Sequence, residues 1–107
     1  MVSKNKEQVI EIVKSKVNAL RHFFVYVEPN YEILKIIDQI LSITHDDVDV
    51  ALAMILPNLR KLSLAVFDIM ETINKENTCK YMTWKAIHAH IHNLEKMVCE
   101  AMVGGEQ

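Results

Sequence analysis

Residues 45–75 read HDDVDVALAMILPNLRKLSLAVFDIMETINK, and in this stretch Val48, Leu52, Ile55, Leu59, Leu62, Val66, Ile69 and Ile73 recur at alternating steps of four and three. That spacing is a helical seam. Ala53, Leu56, Phe67 and Met70 widen it on one flank, so the buried face is broader than the strip of a two-stranded coiled coil. Opposite the seam, a further column holds Val50, Pro57 and Leu64, and a helix apolar on its back needs covering there too. Pro57 lacks an N–H, and its ring clashes with the carbonyl of Ala53. The four-three rhythm runs through residues 52–62 without a slip, which predicts a kink rather than two helices.

Outward from this stretch the chain reads as three more helices. The first is expected over about residues 6–28, capped by Asn5 with Gln8 three residues on, and its seam is Ile10, Val13, Val17, Leu20, Phe24 and Val27. The segment HFFVYV at 22–27 is strand-like by composition but continues the helical rhythm, so a single helix is expected through it. Glu28-Pro29-Asn30 ends that helix and opens a short second one, about 30–43, with Ile33, Leu34, Ile37, Ile40 and Leu41 on its apolar face. Thr44 is the expected cap of the third helix, about 45–75, with Asp46, Asp47 and Asp49 in its first turn. Thr78 is the expected cap of the fourth, about 79–103, which carries Trp84, Ile87, Ile91, Leu94, Val98 and Ala101 inward and stops at Gly104-Gly105. The expected fold is a single all-α domain, an up-down four-helix bundle with a short second helix and a long, Pro-kinked third.

Composition agrees with that class. Of 107 residues, half are apolar, and Gly and Pro number two each, too few for a sheet protein's turns. A net charge of −2 gives no general pull toward nucleic acid or anionic membrane. The N-terminal MVSKNKEQ lacks the apolar core of a signal peptide, no uninterrupted apolar run is long enough to span a bilayer, and a cytoplasmic protein is expected. Cys79 and Cys99, on one helix and about 30 Å apart, are too distant to bridge and are expected as free thiols.

For chemistry, the notable row is His88, His92, Glu95 and Cys99, which share one face of the fourth helix. Imidazole, carboxylate and thiolate are all competent metal ligands. The row comes from one helix with no second ligand set in view, so no metal site and no cofactor are expected. An exposed histidine on a helical domain invites comparison with histidine phosphotransfer domains, whose signature places a lysine three and a glycine four residues after the phosphorylated histidine. After His92 those positions hold Glu95 and Lys96. The basic first helix, with five basic against two acidic groups over residues 1–27, raises nucleic-acid binding as a third class. The third helix opens with Asp46, Asp47 and Asp49, which repel phosphate in a helix-turn-helix arrangement. No Gly-rich phosphate loop or nucleophile elbow occurs, and no enzyme is expected.

Protein association is the expected function, as a homodimer, an adaptor or an inhibitor that occupies a surface. The reason is unequal helix length. A short second helix leaves the hairpin of roughly residues 60–90 without company from helices one and two, exposing Leu62, Leu64, Phe67, Met70, Met82 and Trp84 to a second copy or a partner helix. Trp84 and Phe67 are the expected anchors. The competing expectation is a compact monomer in which the hairpin folds back over the first two helices.

Overall fold

The computed structural model describes residues 5–104. Every regular element in that range is helical: α1 (Lys6–His22), a π-helical turn (Phe23–Val27), α2 (Tyr31–Leu41), α3 (Val48–Thr72) and α4 (Thr78–Gly104). The caps follow local chemistry. The Gln8 N–H donates to Asn5 Oδ1 at 2.8 Å and the Asn5 N–H to Gln8 Oε1 at 3.3 Å, the reciprocal box that the sequence implies. Asn30 caps α2 by accepting from the Ile33 N–H.

Two starts shift from expectation. Asp47, not Thr44, caps α3, accepting from the Asp49 N–H at 2.9 Å, and the Asp47 N–H is itself held by His45 Nδ1. Residues 42–47 therefore belong to a connection, and only Asp49 lies in the first turn. The cap of α4 is Asn77, which accepts from the Lys80 N–H at 3.4 Å, one residue before the expected Thr78. At the other end, α4 continues through Gly104, where the sequence predicted a stop.

The strand-like FFVYV is helical, but as a π turn. The Glu28 N–H reaches back five residues to the Phe23 carbonyl, and the Asn30 N–H six residues to that of Phe24. The wider turn advances less than 100° per residue, so the α-period seam loses phase there. Phe24 is buried, while Val27, the expected last member of the seam, is 62 % exposed.

One core joins the four helices. Val9, Val13, Val17 and Phe24 meet Ile33, Ile37 and Ile40 of α2, Leu52, Ile55, Leu59, Leu62 and Val66 of α3, and Trp84, Ile91, Leu94 and Val98 of α4. Contacts between α3 and α4 pair Phe67 and Ser63 with His88 and Arg60 with Glu95, so these two helices run past each other in opposite directions. α3 continues unbroken with Pro57 inside it. By length and composition α3 is also apolar enough to cross a bilayer. The count of uninterrupted runs missed this because Asn58, Arg60 and Lys61 break the run. Its seam, however, is packed inside the core.

The radius of gyration is 14.6 Å, against about 13 Å for a compact chain of this length. The molecule is elongated, 47 Å on its long axis, and an elongated helical domain buries less of each helix than a compact one.

Candidate interaction surface and the histidine row

The six side chains expected to meet a partner divide into two sets. Leu62, Met70 and Trp84 are buried in the core of this one chain. The expectation of an unaccompanied hairpin fails toward its tip, because the π turn that follows α1 lies against the start of α4 there. Trp84 packs at 5.5 Å from the Phe24 ring and at 6.3 Å, edge-on, from the Phe23 ring. Lys80 lies 3.8 Å from Glu28 on the same side. Trp84 is therefore a core residue rather than an exposed anchor.

Leu64, Phe67 and Met82 remain exposed. Leu64, at 64 %, is the most exposed large apolar residue of α3, and Val50, Met54 and Phe67 are exposed as well. At 3.6 residues per turn, Val50, Met54, Pro57 and Leu64 fall on one outward strip about 21 Å long. Met82 does not join it. It shares an outward face of α4 with Ala89, Asn93 and Lys96, all exposed, away from the α3 side.

The histidine row lies along the seam between α3 and α4. His88 Nε2 is 3.3 Å from Ser63 Oγ, and its ring sits 5.5 Å from Phe67 and 6.1 Å from His92. Glu95, whose side chain is 15 % exposed, has Arg60 at 3.9 Å and His92 Nδ1 at 3.7 Å, both beyond hydrogen-bond length. Among the described residues no three His, Cys, Asp or Glu side chains converge closely enough to hold a metal ion. Nor is the Ser63–His88 pair a nucleophile and base, since Ser63 is buried and a hydroxyl sealed between helices meets no substrate. The pair fastens α3 to α4.

His90 points the other way, toward α1, where burial and then the charge of Lys16 hold its imidazole below the ordinary 6.5. The folded chain resists a proton that the unfolded chain accepts, so stability is full above about pH 6.5 and is lost as pH falls through the lowered folded value. His90→Gln flattens the acid limb of unfolding free energy plotted against pH. Equal slopes below pH 6.5 in the two proteins would remove His90 as the cause.

Three basic groups of the first helix pair within the chain. Lys6 pairs with Asp49, Lys14 donates to the Ile43 carbonyl, and Arg21 Nε donates to Asp38 at 2.8 Å. These contacts bind α1 to the α2 and α3 side, while Lys16 is exposed.

Sequence reasoning missed a cleft of about 330 Å³ where the π turn faces the start of α4, with Phe23, Trp84, Glu28 and Lys80 in its wall. Nothing in an α-helical period marks a π turn in advance, and the pairing of residues 23–28 with 77–84 is a long-range one. Compared with protein-family models, with curated proteins and with solved structures, the chain matches none.

Proposed function

We propose that this chain is a protein-interaction module: an up-down four-helix bundle, kinked at Pro57, that forms a homodimer through the outward face of α3. The observation that carries this reading is the exposure of Leu64 at the centre of an apolar strip. Its neighbours favour a second copy over a foreign partner. Lys61 lies one turn before Leu64 and Asp68 one turn after it, both exposed on the same face. A two-fold pairing of α3 with its own copy, antiparallel and centred at Leu64, sets Lys61 of each chain against Asp68 of the other. The strip is thus complementary to itself in charge as well as apolar. Phe67 borders it on the α4 side and Met54 and Val50 extend it. The free Cys79 and Cys99 support a reducing, cytoplasmic setting.

Light scattering on the eluting protein tests this directly. At tens of micromolar the expected mass is twice that of the chain. Leu64→Glu brings it to the monomer mass while leaving the unfolding free energy, measured in the monomer range, within about 0.5 kcal/mol, as for other exposed sites. Lys61→Glu weakens the dimer, and adding Asp68→Lys restores it. A wild-type monomer mass at that concentration would sink the proposal, as would a dimer indifferent to Leu64→Glu.

A further inference from the structure

The cleft between the π turn and α4 is remote from Leu64 along the helices and carries a chemistry of its own. Phe23 and Val27 form its open apolar wall, and Trp84, 2 % exposed, adds little free surface beside them. The same wall holds one carboxylate and one ammonium, Glu28 and Lys80. These two are 3.8 Å apart with side chains 37 % and 45 % exposed. A pair that is long and wet contributes little by itself, so a ligand offering a better partner to each charge separates it readily. The volume, about 330 Å³, stands at the lower end of small-molecule sites and suits one ring with a short polar tail.

The direction of the charges is also set. Asn77 caps α4 and Lys80 lies in its opening turn, where the helix dipole adds positive potential. The first turns of α1, α2 and α3 carry Glu7, Glu32 and Asp49, whereas that of α4 carries no acid. A carboxylate is therefore favoured at the α4 side of the cleft and an ammonium at the Glu28 side, beside the Phe23 ring.

We propose that this cleft binds a free aromatic amino acid as its zwitterion, the ring against Phe23 and Val27, the carboxylate on Lys80 and the ammonium on Glu28. This site does not depend on the α3 surface, and the two proposals stand or fall separately.

Trp84 is the chain's one tryptophan, so its emission reports on the cleft. Titration with L-phenylalanine is expected to change that emission saturably and to shift the amide resonances of residues 77–83. Phenylacetate and phenethylamine, each lacking one charge, and leucine, lacking the ring, bind at least about tenfold more weakly, the loss of one charge-assisted contact or of ring stacking. Lys80→Ala and Glu28→Gln each weaken phenylalanine by a similar factor, with helical circular dichroism unchanged because both side chains are partly exposed. Absence of saturation by both readouts overturns the proposal. So does phenylacetate, phenethylamine or leucine binding as tightly as phenylalanine, or folded Lys80→Ala and Glu28→Gln proteins that bind it as the wild type does.

Discussion

Trp84→Ala is expected to lower the free energy of unfolding by about 3–5 kcal/mol, the range for deleting a buried tryptophan or phenylalanine side chain. Trp84 is 2 % exposed and lies against both Phe23 and Phe24, so its removal opens a cavity where the π turn packs on α4. A domain of this size has only about 5–15 kcal/mol in total. Urea unfolding followed by circular dichroism measures the difference. A loss below about 1 kcal/mol would return Trp84 to the role of partner anchor expected from the sequence. Trp84→Phe is expected to be far milder. It keeps a ring in the pocket and removes the indole Nε1, which is buried and finds no acceptor among the described residues.

Pro57→Ala is expected to act in the opposite direction, raising the unfolding free energy by about 2 kcal/mol. Proline in a helix interior is about 3 kcal/mol worse than alanine, because it forfeits the bond to the carbonyl four residues back and crowds it. Part of that gain is offset, by about 0.4–1 kcal/mol, as the unfolded chain becomes more flexible. Pro57 is exposed, so alanine leaves no cavity. The measurement is a pair of urea curves at a concentration where both proteins are monomeric. A destabilised variant would show that the second half of α3 reaches α4 only in the shape that proline imposes, and that the helix is not simply tolerating the residue.

Much of the fold was legible because it depends on local periodicity. Leu52, Ile55, Leu59, Leu62 and Val66 are fully buried, as their four-three spacing implies, and Trp84, Ile87, Ile91, Leu94 and Val98 take the inward face of α4. The Asn5–Gln8 box was readable for the same reason, since both partners lie within one turn. Leu64 was readable as a back-face residue, and it is exposed. What could not be read was long-range. Whether Trp84 is covered depends on where the π turn after α1 lies, and no spacing within α3 or α4 encodes that. Val27 was misplaced because an α-helical period was extended through a segment that widens to π. Thr44 and Asp47 are both competent caps, and the choice between them rested on the His45 ring that holds the Asp47 N–H.

The aromatic contact between the end of α1 and α4 also bears on chain entropy. Phe23 and Trp84 are 61 residues apart in the chain, whereas Ser63 and His88, which join α3 to α4, are separated by 25. Closing the longer loop costs about 0.8 kcal/mol more, because the penalty grows only with the logarithm of length. The difference is small beside the area of two phenylalanine rings and an indole. A domain whose α3–α4 contacts join nearer neighbours in sequence thus sets its largest rings on one of its long closures, between the π turn and the start of α4.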